Sequence, residues 1–379
     1  MKALHLFSNA KWTGPAEPAL NLCVALRALG VDADFACTPN AGASVNKVVE
    51  TARDRGIEPL LQFHLSKHRH PIKDFQDRRA LSGHLDRQRY DLIHCHLDND
   101  HAIALGPATR HRIPLIRSSY EGLGLTLSRR RRSLLEGTAF LIEPSQRALE
   151  HDAEAFAFPR ERLGVVPGAV DTGRFDPTRE LPDGRSWIQV PHDAFVIGIV
   201  ARMQTHRHYA DLFRALRQLV DEAPKTHLVV VGRGTKQERV GKQPVRELGL
   251  EDRVHFSGHI DGENYAGMLK AFDVGVFLVP GSDGTCRAVR EIMAIGKPMV
   301  VADRGMLAEI VTHEHDGLVC DGSVEALHRS LKRLREDRRD RRRMAQAARE
   351  TALAAYSLEA QSAAVLSLYE KVLGAGPAS

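Results

Sequence analysis

The sequence is poor in cysteine and in aromatic residues, and each shortage narrows the classes of protein to consider. Its five cysteines include no C-x-x-C pair and their number is odd, which argues against a disulfide framework and predicts reduced thiols in a cytoplasmic protein. Aromatic residues make up only 6% of the chain, and no recognised nucleic-acid-binding motif is present. We therefore predict no nucleic-acid partner, despite the net charge of +5 and the pI near 9.0.

Long hydrophobic runs are also lacking. No stretch reaches the ~18 apolar residues that a membrane-spanning helix requires. The N-terminal segment MKALHLFSNAKW has one lysine followed by a very short apolar run, which predicts neither a signal peptide nor a membrane span. We expect a soluble cytoplasmic protein that is attached, at most, to the inner face of a membrane.

The length and the pattern of elements predict two domains. A chain of 379 residues is too long for one ordinary domain and suits two of about 150–200 residues each. Short apolar strands alternate with helical segments, which predicts an α/β fold with parallel sheets covered on both faces. In the first half of the chain the predicted strands are residues 2–7, 31–37, 90–96, 114–119 and 139–145.

A turn-rich segment, residues 165–184, interrupts this pattern, which then starts again. Later strands are predicted over residues 194–202, 226–234, 254–259, 274–280 and 298–303, with a closing helix over 357–373. Two such Rossmann-like domains would face each other across a deep cleft, with ligands at the carboxyl ends of the strands. The predicted divisions of the chain are 1–180, 186–355, and 356–379, whose helix crosses back to the first domain.

The segment PGSDGTCRAVREIMAIGKPMVV (280–301) predicts a loop, a helix and a strand. Gly296 and Pro298 end the helix, and Glu291 lies away from its apolar stripe. Asp283 precedes the helix, where aspartate is also an ordinary cap. Because a helix start attracts anions and carboxylates repel them, the segment predicts a ligand that carries both phosphates and hydroxyls.

Two other segments place polar side chains at strand ends. Arg202 directly follows a predicted buried strand, and Arg207 comes five residues later. Cations at the carboxyl end of a parallel strand are placed to grip a diphosphate. In YDLIHCHLDND (90–100), His96 stands at the end of a strand of the first domain.

Together these motifs resemble the retaining glycosyltransferases of family 4, also called group 1. The family pattern E-G-F-G-L-x-x-x-E-A-M-A-x-G-x-P-V-V is similar to D-G-T-C-R-A-V-R-E-I-M-A-I-G-K-P-M-V-V, from Asp283 to Val301. The family's G-R-L-x-x-x-K-G looks like A-R-M-Q-T-H-R-H, and its V-I-P-N-G-V-D-x-x-x-F looks like VVPGAVDTGRF. Its D-x-x-H-x-H resembles DLIHCH, and its glycine-rich first loop resembles TGPAEPALNLCVAL. These motifs keep the family's order nearly from end to end.

The resemblance implies a GT-B fold and sugar transfer, with retention, from a nucleotide-diphosphate sugar to a glycan or lipid-linked acceptor. It implies no metal and no other cofactor. Glu291 would hold the ribose hydroxyls, Asp283 those of the sugar, and His96 would contact the sugar near the reacting carbon. The residues it makes catalytic are His96, Arg202, Arg207 and Asp283, and those it makes donor-binding are Gly14, Gly284, Thr285, Cys286, Arg287 and Glu291.

The chain departs from the family pattern at several of these positions. Asp283 stands where glutamate is usual, so its carboxylate reaches one methylene less far. Cys286 and Arg287 replace a glycine and an apolar residue, which makes the turn bulkier and more cationic. Gly14 alone remains of the paired glycines in the first loop. These residues bear on which sugar is accepted.

Three alternatives to this interpretation remain open. His94, His96 and Asp98 would lie on one face of a strand and could bind a metal, although the family motif already accounts for His96. The same architecture could serve a nucleotide-sugar epimerase or a glycosyl phosphorylase. A catalytically silent binding protein or scaffold is the third alternative, and such a protein has no physical need for Arg202 and Arg207.

Arginines also cluster in two segments. In residues 335–350 they are interleaved with acidic residues at helical spacing, which predicts a solvated helix face. The run Arg129–Arg132 leads directly into Leu134 and Leu135. Such a basic amphipathic edge can hold a protein against anionic lipid, and an ordinary exposed helix start is the alternative.

Overall fold

The chain divides into two compact units. The computed structural model describes residues 1–39, 46–280 and 286–374, so Asp283, Gly284 and Thr285 lie outside the described residues. The first unit comprises Met1–Gly168 and the C-terminal helix, and the second comprises the described residues from Ala169 to Ser357. Residues 169–180, which the sequence assigned to the first domain, pack with the second unit, since Val170 and Phe175 belong to its core.

A parallel six-stranded sheet forms the centre of the first unit, in the order β2-β1-β3-β4-β5-β6. The chain runs from β1 outward to β2 and then returns to β3 on the other side of β1. The direction of winding therefore reverses beside β1 and β3, and we call such a place a switch point. Sheets of this kind bind ligands at the carboxyl ends of the two strands at the switch point. The strands are β1 (Lys2–Phe7), β2 (Asp32–Cys37), β3 (Leu92–Cys95), β4 (Leu115–Ser118), β5 (Phe140–Glu143) and β6 (Leu163–Val165).

Helices cover both faces of this sheet. On one face α1 and α15 pack together over a core that includes Phe7, Phe35 and Tyr369. On the other face α3 and α4 cover a core that includes Leu6 and Ile93. The helices are α1 (Ala16–Ala28), α2 (Lys47–Asp54), α3 (Pro71–Arg87), α4 (Asp98–His111), α5 (Arg129–Glu136), α6 (Gln146–Phe156) and α15 (Leu358–Gly374).

The second unit repeats this plan with the order β12-β11-β10-β7-β8-β9, again all parallel. Its winding reverses between β7 and β10, which is therefore the second switch point. The strands are β7 (Phe195–Val200), β8 (Thr226–Val231), β9 (Val254–Gly258), β10 (Val274–Phe277), β11 (Met299–Ala302) and β12 (Gly317–Cys320).

Amphipathic helices cover this second sheet. Helix α8 buries Leu212, Leu216 and Leu219 at helical spacing and packs against α13. No helix in the described parts of the chain is both long and apolar enough to span a bilayer. The helices are α7 (Gly184–Trp187), α8 (Tyr209–Glu222), α9 (Gln243–Glu247), α10 (Gly262–Lys270), α11 (Arg287–Ala294), α12 (Leu307–Ile310), α13 (Val324–Glu336) and α14 (Arg338–Ala355).

The predicted α/β architecture with two Rossmann-like sheets is confirmed. All ten strands expected from the sequence are present; β1 has the predicted bounds, and the other nine are shorter by one or a few residues. Strands β6 and β12, each at the end of its sheet, were not predicted. Both are short and only partly buried, so neither shows the continuous apolar run by which a buried parallel strand is recognised.

Candidate functional site

Two arginines flank the switch point of the second unit. Arg202 lies exposed two residues after β7. Arg207 is only 6% exposed, and its Nη1 donates a hydrogen bond of 2.7 Å to the backbone oxygen of Val279, just beyond β10. Its guanidinium also lies 5.8 Å from the centre of the Phe277 ring. Both arginines thus follow β7 in the chain, and Arg207 also contacts the segment just beyond β10, the strand on the other side of the reversal.

Neither arginine is neutralised within the described residues. No ion pair joins Arg202 or Arg207 to a carboxylate there, and Nε of Arg207 is buried without a hydrogen-bond partner. A buried guanidinium with a free donor is unfavourable unless a ligand compensates it. The arrangement is therefore suited to an anion, and guanidinium groups match the oxygens of a diphosphate.

Two glycines after β8, Gly232 and Gly234, support this arrangement. A Cβ on Gly232 would lie 2.6 Å from the backbone oxygen of Ala201, and one on Gly234 would overlap the backbone oxygen of Met203. Gly232 also has a φ of +135°, which side chains rarely adopt. The G-x-G after β8 therefore lets its backbone lie directly against the segment that carries Arg202.

Helix α11 begins beside this switch point with an unusual backbone. Cys286 precedes its first residue, Arg287, and has left-handed backbone angles with φ +48° and ψ +41°. Glycine adopts this conformation without strain, and the family pattern has glycine at this position. Gly296, with a φ of +73°, follows the end of the helix as predicted.

Glu291, which the sequence places away from the apolar stripe of α11, is buried. All residues from Val289 to Ala294 are buried, and Glu291 itself is only 6% exposed. Its Oε2 accepts a hydrogen bond of 2.5 Å from the hydroxyl of Tyr265, and its Oε1 lies 3.3 Å from Nε of Arg287. Burial, together with the nearby carboxylate, raises the pKa of Tyr265 well above its usual value, so this hydroxyl remains a donor.

The switch point of the first unit begins with an exposed turn that contains Gly14, between β1 and α1. The loop after β1 is tied to the start of α4, since Oδ2 of Asp100 accepts a hydrogen bond of 2.9 Å from the backbone N–H of Ser8. In return, the backbone N–H of Asp100 donates to Oγ of Ser8 at 3.1 Å. Burial raises the pKa of Asp100 to about 7.

His96 is completely buried just after β3, and both of its ring nitrogens have partners. Nδ1 lies 2.7 Å from the hydroxyl of Tyr120, and Nε2 lies 3.0 Å from Nδ1 of His5. Tyr120 is half-buried and separates the imidazole from solvent. The predicted contact between His96 and the sugar therefore requires the Tyr120 hydroxyl or a rearrangement around it.

His96 belongs to a closed hydrogen-bond network. His94 contacts the hydroxyls of Tyr369 at 2.5 Å and Ser118 at 2.7 Å, and the Tyr369 hydroxyl also lies 3.3 Å from Nε2 of His5. All six ring nitrogens of the three histidines are thus satisfied. Burial lowers the pKa of His5 to about 3 and that of His94 and His96 well below the usual value, so the imidazoles are neutral at pH 7.

The residues that lie close enough to bind a metal differ from the predicted set. Asp98 is the first residue of α4, not part of a strand, and it pairs with Arg117 and Arg131 at 3.3 and 2.8 Å. Within the described residues the only group with metal-ligand geometry is His5, His94 and His96, whose candidate ligand atoms lie within 4.8 Å of one another. Because each of these nitrogens already has a hydrogen-bond partner, the network is complete without an ion.

The arginine run at the start of α5 differs from the predicted membrane edge. Leu135 is only 2% exposed and packs in the core beside Phe156. Arg131 is bound between Asp98 and Glu121, at 2.8 and 2.6 Å. Arg131 and Leu135 therefore have structural roles, whereas Arg129 and Arg130 are exposed and Leu134 is half-buried.

Two family models match consecutive parts of the chain. The model described as "Glycosyltransferase Family 4" matches residues 13–174, and the model described as "Glycosyl transferases group 1" matches residues 185–351. Together they account for most of the chain: the first covers β2 to β6 of the first sheet, and the second covers all six strands of the second sheet.

Individual proteins show the same similarity. The chain is 33% identical over 192 residues, 50% of its length, to the "Lipopolysaccharide core biosynthesis glycosyltransferase LpsD" of Rhizobium meliloti, and covers 53% of that protein. It is 28% identical over 74% of its length to the "MMP alpha-(1->4)-mannosyltransferase" of Mycolicibacterium hassiacum, and covers 64% of it. The chain thus spans between half and two thirds of these relatives. The crystal structure of Anabaena HepE in complex with UDP has a TM-score of 0.77 at 18% identity, with 98% of this chain and 100% of that chain covered.

Proposed function

We propose that this chain, which belongs to the glycosyltransferases of family 4 with GT-B architecture, moves a sugar from a nucleotide-diphosphate donor to a glycan or lipid-linked acceptor, with retention at the anomeric carbon. The observation that carries this proposal is the pair Arg202 and Arg207, two cations without described counter-ions at the β7–β10 switch point. In a binding scaffold, the buried guanidinium of Arg207, which has no carboxylate partner within the described residues, would destabilise the fold without serving a reaction.

The arginines would stabilise the departing nucleotide diphosphate. Breaking the bond between sugar and phosphate leaves negative charge on the phosphate oxygens, and fixed cations stabilise that charge as it develops. Arg207 is held in place by Val279, so little reorganisation is needed during the reaction. The positive end of the α11 helix dipole would add to this stabilisation.

The paired side chains Glu291 and Tyr265 would bind the ribose. A carboxylate accepts hydrogen bonds from two adjacent hydroxyls, and the Tyr265 hydroxyl already holds one Glu291 oxygen in position. The family resemblance assigns the sugar contacts to Asp283, which lies outside the described residues, and to His96, which is buried behind the half-buried Tyr120. The leaving phosphate would take the acceptor's proton, so the reaction needs no separate general base.

The related proteins support the choice of donor and acceptor. HepE was crystallised with UDP, which supports a nucleotide-sugar donor. The names of the two curated relatives refer to lipopolysaccharide core synthesis and to mannosyl transfer, which supports a glycan acceptor, free or lipid-linked. We further propose that transfer needs no metal, because Arg202 and Arg207 supply the positive charge that a cation would otherwise provide. Activity should then survive dialysis against EDTA.

A thermal-shift panel of nucleotide sugars tests the donor assignment. A donor at 100 times its dissociation constant should stabilise the protein by roughly 2.7 kcal/mol. Glu291→Gln should weaken binding of every donor with the same nucleotide, and of the bare nucleotide diphosphate, by about ten- to a hundredfold, because a charged hydrogen bond is lost. Glu251→Gln, at an exposed glutamate of the same unit, is the matched control and should bind as the wild type does.

Product analysis then separates the rival functions. Retaining transfer gives a product with the donor's anomeric configuration, which proton NMR reports directly. Consumption of inorganic phosphate would identify a phosphorylase, and a changed sugar without an acceptor would identify an epimerase. Tight donor binding with no turnover on any glycan or lipid-linked acceptor would contradict the proposal and favour the scaffold.

A further inference from the structure

The outer face of α3 carries apolar side chains that protrude into solvent. Ile72 is 68% exposed and Phe75 is 65% exposed. Leu123 and Leu127, in the loop before α5, are each 58% exposed. These two segments hold four of the eight large apolar side chains that lie exposed in the described ranges. Exposed apolar residues that gather in this way mark an interaction surface.

The two segments adjoin one another at Asn99, in the first turn of α4. Its Nδ2 donates a hydrogen bond of 3.1 Å to Oδ1 of Asp74 in the first turn of α3. Its Oδ1 accepts one of 3.2 Å from Nη2 of Arg130 at the start of α5. Helix α4 directly follows β3, so the first turns of all three helices meet beside the carboxyl end of the sheet.

Charges along α3 are sorted between its inner and outer faces. The carboxylates of Asp74 and Asp77 are 4% and 1% exposed, and both accept hydrogen bonds from backbone N–H groups of the preceding loop. Lys73 and Arg79 of the same helix are exposed. Asp74 and Asp77 therefore have a structural role, and the outer face of this part of α3 is positively charged.

A groove between α3 and α4 extends this positive face. It has a volume of about 680 Å³ and is lined by Phe75, Arg78, Arg79 and Arg110. The groove exists because small residues face it, and a Cβ added at Gly106 would meet nothing within 4 Å. Its one carboxylate, Asp86, lies 3.9 Å from the imidazole of His111.

We propose that this α3 surface, formed by Ile72, Phe75, Arg78, Arg79 and Arg110, docks the protein on a membrane that contains anionic phospholipids. Headgroup phosphates would enter the groove and pair with the arginines, while the two apolar side chains insert among the acyl chains. Protruding apolar side chains flanked by cations suit a fluid anionic layer better than the fixed surface of a protein. The surface replaces the predicted run Arg129–Arg132, whose Leu135 is buried. This docking proposal rests on the proposed function only in that a lipid-linked acceptor would lie in such a membrane.

Vesicle sedimentation tests the surface without any turnover. Wild-type protein should bind vesicles of phosphatidylcholine with about one third phosphatidylglycerol, and should dissociate at high salt because screening weakens exposed charges. Arg79→Gln combined with Arg110→Gln should lower the partition coefficient roughly thirtyfold, at about fivefold for each cation. Phe75→Ser should lower it roughly tenfold.

Matched controls come from the second unit and from the groove itself. Arg338→Gln with Arg339→Gln removes two exposed charges elsewhere, Trp187→Ser removes an apolar side chain that is 50% exposed, and none of these should change binding. Gly106→Glu should abolish binding, while Gly106→Gln, of the same size, should retain most of it. Circular dichroism and the melting temperature confirm that each variant is folded.

Several outcomes would overturn the docking surface. They are failure of the wild type to bind, equal binding to pure phosphatidylcholine, and equal losses for the α3 variants and the second-unit controls. Stabilisation by a nucleotide diphosphate, measured in the same variants, should be unchanged. Absence of stabilisation of the wild type by a nucleotide diphosphate would count against the proposed function. Absence of vesicle binding alone would count only against the docking surface.

Discussion

Both sheets are parallel and six-stranded with one reversal of winding, but their strand orders differ and they carry opposite chemistry at their switch points. Between β7 and β10, Arg202 and Arg207 supply positive charge that no described carboxylate neutralises. Beside β1 and β3, His5 and His96 are neutral, buried and fully hydrogen-bonded. The β7–β10 switch point therefore has charge that is suited to an anion, whereas the hydrogen bonds of the first switch point are already complete. The two switch points thus differ in charge and in hydrogen-bond satisfaction.

The difference has a consequence for stability. Exposed cations such as Arg202 contribute little to folding, so their loss should affect binding alone. A buried neutral network stabilises the fold only while its protonation state is kept and all its partners are present. The two switch points should therefore respond to different perturbations, one to changes in ligand binding and the other to acid and to loss of hydroxyl groups.

Acidification should have the largest effect, and chiefly on the first unit. The folded-state pKa of His5 is about 3, and those of His94, His96 and His101 are also lowered by burial. Below pH 6.5 these histidines are protonated in the unfolded chain but remain neutral in the folded chain. The free energy of unfolding therefore falls towards pH 3 by about 1.4 kcal/mol per pH unit for each histidine. Hydrogen exchange followed by mass spectrometry should show the first unit opening before the second.

Buried carboxyl groups modify this pH profile. Burial raises the pKa of Asp100 to about 7 and that of Glu143 well above its usual value, so the stability they contribute is greatest in acid and declines as the pH rises above about 4. They partly offset the histidines between pH 4 and 6.5, and the steepest loss should come below pH 4. His5→Asn should reduce the slope, whereas His68→Asn, in an exposed loop, should not. A first unit that outlasts the second in acid would contradict this prediction.

Arg202→Ala should have the next largest effect, and on binding alone. Affinity for a nucleotide diphosphate should fall about ten- to a hundredfold, because a charge-assisted hydrogen bond worth about 1.5–3 kcal/mol is lost. The melting temperature of the free protein should stay the same, since this side chain is exposed. Isothermal titration calorimetry measures the loss, and Arg239→Ala, an exposed arginine of the same unit, is the control. Unchanged affinity would remove Arg202 from the site.

Tyr369→Phe should have a smaller effect, confined to stability. It deletes the hydroxyl that contacts both His5 and His94, so two buried nitrogens lose a partner. Urea denaturation should show the first unit destabilised by about 1–3 kcal/mol. Tyr120→Phe removes a contact to one imidazole only and should cost less. Binding of a nucleotide diphosphate should be unaltered in both variants, and a clear loss would show that the network also serves the donor.

Cys286→Gly should have the smallest effect. Glycine relieves the left-handed strain at φ +48°, which is worth about 1–2 kcal/mol, and this gain offsets the lost burial and the greater freedom of the unfolded chain. The free energy of unfolding should change by less than about 1 kcal/mol. Cys23→Gly, at a fully buried position inside α1, should cost about 2 kcal/mol or more. Similar costs for the two variants would show that Cys286 is not strained.

Much of the fold and part of the site could be predicted. The apolar runs of β1 and β7 predict buried parallel strands, and an arginine directly after such a run must lie at the carboxyl edge of its sheet. The contacts of Glu291 with Tyr265, and of Gly234 with the loop of Arg202, could not be predicted, because no sequence period links residues from separate elements. The burial of Glu291 could not be predicted either, because it depends on the segments that pack around α11.

The order of apolar runs, glycines and charges along the chain is enough to specify two α/β units, the strand ends that carry Arg202 and His96, and the family. These features are local, since backbone sterics and side-chain periodicity act over a few residues. Only tertiary packing decides that His5, His94 and Tyr369 share one network, or that Asp74 and Asp77 face inward and leave α3 positive outside. Burial and charge pairing depend on which distant segments meet, and that is a property of the folded chain.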